Sequence, residues 1–284
     1  MNTSENNVLI SIVTVCYNAL KDLPMTMESV YRQDFTNYEY IIQDGGSTDG
    51  SLEFIESFRA RFEEKGISFT VISGKDYGIY DAMNRAVSSC NGKWINYMNA
   101  GDCFYNNTVL SDIFADKTYP TAGILYGDCI EYEYGRFYRF PKNESGIEEA
   151  MPFSHQTVFA HRELLQRLPF KCEYKYSADY DFLLSVHDRG IHFADTGCVI
   201  CITNKDGVSS VNYHDMLSES ALIKKSHGIT PPSEAEAAKL ERVLTIKQFV
   251  LDHFPLFIKK TIRNIQIKQR GQSFDCVVPS WYKL

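Results

Sequence analysis

The chain has 284 residues, of which 44% are apolar and 23% charged, and its net charge is −7. A globule of this size hides about three-quarters of its unfolded surface, so it supports one large or two modest domains and is neither disordered nor fibrous. The acidic balance excludes a general nucleic-acid binder, because nothing overall recruits phosphate backbones.

The longest apolar run, residues 8–16, is too short to cross a bilayer, and residues 1–7 lack the cationic start and apolar body of a signal peptide. A cytosolic protein is therefore expected, with peripheral contact to the membrane left to the tail discussed below. The eight cysteines are mostly scattered through apolar text, unlike the disulfide framework of a small secreted domain. The pair Cys198-Val-Ile-Cys201 has no second pair at ligand spacing, so it reads as core strand rather than a zinc site.

In chain order, residues 8–16, 38–43, 68–72 and 93–98 are β-branched or aromatic runs. Between them, residues 23–33, 51–61 and 77–89 carry apolar side chains at helical spacing, as with Ile79, Met83, Ala86 and Val87. Strands alternating with helices of this length predict a parallel sheet with right-handed crossovers, whose ligands bind at the carboxyl ends of the strands. Beyond residue 123 the texture changes. Residues 124–134 and 136–140 read as an antiparallel hairpin turning at Gly135, 161–168 and 179–188 as helices, and 191–195 and 198–203 as strands. From residue 212 the chain reads as helical, except where Pro231-Pro232 breaks it.

The tail has its own electrostatics. Residues 239–284 hold nine Lys and Arg against three Asp and Glu. Leu251, Phe254, Ile258, Ile262 and Ile265 follow helical spacing beside Lys259, Lys260 and Arg263, within a 251–270 segment. Two readings stay open: a helix lying on an anionic membrane surface, and a terminal helix docked on the main domain with a solvated cationic face.

The strand ends carry the polar motifs. Residues 38–43 run into Asp44-Gly-Gly-Ser-Thr-Asp-Gly50, which puts the Asp44 carboxylate at a strand end and leaves Ser47 or Asp49 to cap the next helix. Neither Gly-x-Gly-x-x-Gly nor Gly-x4-Gly-Lys-Ser/Thr occurs, which argues against a nicotinamide enzyme or a P-loop nucleotidase. Val13-Thr-Val-Cys-Tyr-Asn18 closes the first strand. Asp76-Tyr-Gly-Ile-Tyr-Asp-Ala-Met-Asn84 and Asn99-Ala-Gly-Asp102 follow the third and fourth, and Tyr176-Ser-Ala-Asp-Tyr-Asp-Phe182 opens a later helix.

In order and spacing these segments resemble the family 2 glycosyltransferases over about residues 8–210. The resemblance implies an α/β protein of GT-A type, with a mixed, mostly parallel sheet flanked by helices and a nucleotide-binding half resembling a Rossmann-like fold. It divides the chain into a glycosyltransferase domain over 1–210, with a donor half at 8–103 and an acceptor half at 104–210, and a helical extension over 211–284. It implies inverting transfer from a nucleotide-diphosphate sugar, usually a UDP-sugar, to a saccharide or lipid-linked acceptor in polysaccharide or glycolipid synthesis.

By the same resemblance Asp44 accepts a hydrogen bond from the base, Thr14, Tyr17 and Asn18 border that pocket, and Asp76, Asp81 and Asn84 line its base and ribose side. Asn99–Asp102 stands where the family holds Mn²⁺ or Mg²⁺ against the diphosphate. Only Asp102 supplies an anionic metal ligand there, with the Asn99 carbonyl a weaker one. Asp179 matches the general base, with Ala178 replacing an acid of the family pattern. His155 and Gln156 are candidates to touch the acceptor or the diphosphate. Asp206-Gly-Val-Ser-Ser210 resembles a loop near the family's site. The thin metal motif leaves a rival reading, a non-catalytic sugar-nucleotide-binding protein.

Overall fold

A computed structural model describes residues 8–133, 136–140, 142–204 and 213–230, together with isolated positions between 242 and 261. The Gly135 turn, the 206–210 loop, Pro231-Pro232 and nearly all of the basic tail lie outside these residues.

The first half follows the expected alternation. Strands β1 (Ile10–Cys16), β2 (Tyr38–Asp44), β3 (Ser68–Ser73) and β4 (Trp94–Tyr97) are joined by helices α1 (Leu23–Tyr31), α2 (Ser51–Glu56), α3 (Arg59–Glu64) and α4 (Ile79–Val87). All four strands run parallel, in the order β3-β2-β1-β4. Every residue of β1 and β2 is buried, as expected of a parallel sheet covered on both faces. The pleat divides β1 between two cores. Ile10 and Ile12 join Leu23, Met27 and Phe62 on one side, while Val13 and Val15 join Met83, Ala86 and Leu184 on the other.

The second half extends the same sheet in mixed directions. Strands β5 (Cys103–Phe104), β6 (Ala122–Glu133), β7 (Arg136–Phe140), β8 (Phe159–His161) and β9 (His192–Asn204) follow, with helices α5 (Val109–Phe114), α6 (Arg162–Arg167), α7 (Ala178–His187) and α8 (Tyr213–Ser226). The sheet continues β4-β8-β6-β9-β5, and β7 pairs antiparallel with β6 as the expected hairpin. Strand direction reverses at β8, which is antiparallel to both β4 and β6.

Three details differ from the sequence reading. The helix expected over 51–61 is two helices, because Phe58 turns into the core against Phe54 and Phe62. The two strands expected over 191–203 are one, continuous through a bulge in which Asp195 and Val199 oppose Tyr126 and Asp128. β5, α5 and β8 have no counterpart among the expected elements, being too short to show a period. No helix among the described residues is long and apolar enough to cross a membrane.

Candidate active site

The ends of β1 and β2 form one wall of a crevice, and much of their polar chemistry is spent on the wall itself. Asp44 is fully buried. Its Oδ2 accepts from the Gly46 and Ser47 N–H groups, both at 3.1 Å, and from Ser73 Oγ at 2.7 Å, while Oδ1 accepts from Ser47 Oγ at 2.5 Å. Both oxygens thus organise the turn that follows β2. Thr14 is likewise inside the core, its hydroxyl donating to the Met98 carbonyl at 2.7 Å and pairing with Tyr40 Oη at 2.8 Å. Asn18, in the left-handed region at φ 49°, ties the two loops: its Oδ1 accepts the Thr48 N–H at 2.9 Å.

Open on this wall are Tyr17, 64% exposed, Asn18, also exposed, and half-buried Asp76. A Cβ at Gly45 would lie 2.6 Å from Asp76 Oδ2 and 3.3 Å from the Tyr17 ring. The missing side chain at 45 is what lets the Asp76 carboxylate and the tyrosine close over the turn. Asp76 Oδ1 accepts the Gly78 N–H at 3.0 Å. Below them, burial, followed by the charge of Asp44, pushes the Cys16 thiol up to about 12.

Helix α4 carries the next residues. Asp81 accepts the Tyr77 N–H at 3.0 Å and pairs with Arg85, also at 3.0 Å, so it closes the start of its own helix. Asn84 exchanges both hydrogen bonds with the Phe170 backbone, at 2.8 and 2.9 Å, and fastens α4 to the segment before α7. Both side chains thus help hold the structure around α4. Tyr80, one turn before Asn84, reaches the far side: its hydroxyl donates to Asp179 Oδ1 at 3.0 Å. Burial, and then the Asp179 charge, hold the Tyr80 phenol well above its usual range.

The loop after β4 is pinned from below by α1. Buried Thr26 donates to the Asp102 carbonyl at 2.7 Å and accepts the Gly101 N–H at 3.0 Å, and Ser29 Oγ accepts the Phe104 N–H at 3.1 Å. Gly101 sits at φ 97°, which lets the Asp102 N–H turn back onto the Asn99 carbonyl at 3.0 Å. Asp102 and Asn99 thereby share one tight turn. Asn99 Oδ1 is buried with no hydrogen-bond partner. An orphaned amide oxygen beside a carboxylate is the oxygen-only donor set of a hard divalent cation. Among the described residues no group of three His, Cys, Asp or Glu could hold a metal.

Asp179 begins α7, and a short 3-10 turn, His155–Thr157, links it to the loop carrying Asp102. His155 Nδ1 donates to Asp179 Oδ2 at 3.1 Å, and its Nε2 accepts from Asn99 Nδ2 at 3.2 Å. Gln156 Nε2 donates to Asp102 Oδ2 at 2.7 Å, while the Ser154 hydroxyl holds the other end of the Gln156 amide. Burial opposes charge on His155, but the hydrogen bond and charge of Asp179, with the charge of Asp102, outweigh it and raise its pKa. A cavity lined mainly by apolar side chains, among them Met83, Tyr97 and Phe182, backs His155 and Asp179.

Direct contacts join His155 to Asn99 and Asp179 and Gln156 to Asp102, while Tyr17 and Asp76 together flank Gly45. Thr14, Asp44, Asp81 and Asn84 hydrogen-bond within the fold. Sequence reasoning missed Tyr80, Ser73, Thr26 and Ser29. The available signal for the last two was a pair of hydroxyls on the apolar face of α1.

A curled, mostly parallel sheet with acids at its strand ends and helices on both faces defines a glycosyltransferase of GT-A fold. Residues 11–176, more than half of the chain, match the model of glycosyl transferase family 2, and the chain belongs to that family. A PGL/p-HBAD biosynthesis glycosyltransferase of Mycobacterium tuberculosis is 28% identical over 180 residues, which cover 61% of this chain and 68% of the relative. Among solved structures, Staphylococcus aureus TarS 1–349 in complex with UDP superposes with a TM-score of 0.62 at 18% identity, covering 80% of this chain and 67% of the other. A mannosyltransferase of Pyrobaculum calidifontis in complex with GDP-Man and Mn²⁺ gives 0.61 at 17% identity, covering 78% and 65%.

Proposed function

We propose that the chain transfers a sugar from a UDP-sugar to an acceptor hydroxyl with inversion, Asp179 acting as general base. The observation that supports this reading is the bridge of His155 and Gln156, which ties Asp179 to Asn99 and Asp102. Tyr17 offers a face for the base to stack on, and Asp76 an acceptor for its N–H. Asn99 and Asp102 would hold Mn²⁺ or Mg²⁺, which supplies charge neutralisation for the departing diphosphate.

Within the site the acceptor oxygen forms a bond to the anomeric carbon as the bond from that carbon to phosphate breaks. The nucleoside diphosphate leaves with the electron pair, and the hydroxyl proton passes to Asp179. Tyr80 and His155 fix both oxygens of that carboxylate, so it meets the acceptor in one orientation. One direct displacement inverts the centre and needs no covalent intermediate.

The Asp179→Asn variant is expected to lose at least a hundredfold in nucleotide release while donor affinity stays within about twofold. Titrating UDP-glucose, UDP-N-acetylglucosamine and GDP-mannose with and without Mn²⁺, then following nucleotide release, checks it. Near-normal turnover in the variant removes the base assignment, and tight binding with no release by the native chain favours a binding protein.

A further inference from the structure

We propose that Glu219 of α8, outside the 11–176 segment matched to the family, is a positioning residue for transfer: it sets the place of the general base by gripping the backbone that leads into α7. The proposal rests on the reading of Asp179 as that base. Residues 175–177 precede α7 without helical structure, and their three successive N–H groups would otherwise need partners from elsewhere. All three converge on one carboxylate. Lys175 donates to Glu219 Oε1 at 2.6 Å, and Tyr176 and Ser177 donate to Oε2 at 2.7 and 3.1 Å. Charge-assisted bonds this short are stronger than neutral ones, and consecutive amides aimed at one anion make a stiff backbone concavity. Asp179 follows two residues later, so slack in this lead-in is slack in the base.

The rest of α8 holds the carboxylate to its task. Ser177 Oγ lies 3.3 Å from the Met216 carbonyl and 3.4 Å from Ser220 Oγ. Ile223 is fully buried in the apolar cluster that contains Leu183 and Leu184 of α7. Just past the helix, His227 Nε2 is 3.1 Å from Asp181 Oδ1 and its Nδ1 is 2.5 Å from Asp188 Oδ2. Helix α8 therefore grips α7 before its first turn, along its length and beyond its last. Within that grip, Glu219 is the contact nearest the base. A Gln at 219 keeps the shape but loses the charge and turns an NH2 donor toward at least one of the three N–H groups. An Asp keeps the acceptor-only anion on a shorter stem.

The test compares the full chain with its Glu219→Gln, Glu219→Asp and Asp179→Asn variants, with melting temperatures taken alongside. Hydrogen exchange at the amides of 175–177 reads the grip directly. Nucleotide release by water from the sugar nucleotide that the native chain hydrolyses fastest, with Mn²⁺ present, reads the base. The expected result for Glu219→Gln is exchange at the three amides faster by about tenfold or more. Its kcat should fall on the order of ten- to a hundredfold with donor KM unchanged, and Glu219→Asp should recover most of that loss. Unchanged exchange in Glu219→Gln overturns the grip, and unchanged kcat overturns its role in positioning. A loss of kcat that Glu219→Asp does not recover, or one that tracks melting temperature alone, reduces Glu219 to a stabilising residue. Full turnover in Asp179→Asn instead sinks the base assignment, and the exchange data still report on Glu219.

Discussion

At Gly45 the side chain that is not there decides how the donor wall closes. A methyl group at this position meets the flexible end of Asp76, whose Oδ2 would be 2.6 Å away, and the tyrosine ring at 3.3 Å. The Gly45→Ala variant should therefore push Asp76 outward, weakening UDP-sugar affinity about tenfold while leaving the melting temperature within a few degrees. Isothermal titration with UDP and a thermal melt check both halves of that expectation. The neighbouring Asp44 shows why single residues were only partly legible in the sequence. A strand-end carboxylate invites a ligand, yet Ser73, 29 residues away, donates to one of its oxygens, and no local pattern announces that bond. Asp102 and Asp179 stand in a tight turn and in the first turn of a helix, positions that advertise themselves in a sequence. Tyr80 was not, because a tyrosine on the buried face of an amphipathic helix looks like any other core residue.

Among the elements, the long ones could be read and the short ones could not. β1, β2 and α4 carry a period over seven to nine residues. Strand β8, with three residues, carries none, although it is where the sheet changes direction. Its last residue makes a testable contribution of its own. His161 packs edge-on to Trp94, 5.6 Å between ring centroids, and burial, helped by the charges of Lys93, Arg162 and Arg167, lowers its pKa below 6.5. A histidine with a lowered folded pKa is held neutral, so its contribution is present above pH 6.5 and is lost as the pH falls through the folded value. The melting-temperature gap between the native chain and His161→Gln should thus narrow between pH 7 and pH 5. A gap that stays constant or widens on acidification would contradict this. The α8 grip on α7 belongs to the same scale. It was invisible beforehand because Glu219 and the amides it holds lie 42 to 44 residues apart.

For the molecule as a whole, the scattered cysteines behave as core residues, as their apolar settings suggest. The seven described cysteines are all free thiols. Cys172 is exposed and Cys198 half-buried, while the other five are buried. Burial pushes the thiols of Cys16 and Cys90 up to about 12, which leaves almost no thiolate at neutral pH. Among the described cysteines, brief treatment with N-ethylmaleimide at pH 7.5 should label Cys172 first and leave Cys16, Cys90, Cys103, Cys129 and Cys201 unmodified until denaturant is added. Peptide mass mapping reads the order, and early modification of Cys16 would show the donor wall to be looser than its packing implies.

The position of β6 also has a consequence for how the chain is made. One flank of this twelve-residue strand is covered in part by β9, whose residues leave the ribosome some seventy positions later. Until they arrive, that stretch of β6 offers unpaired amides and carbonyls to any passing strand. A nascent chain halted before residue 192 would then be the species most in need of a chaperone.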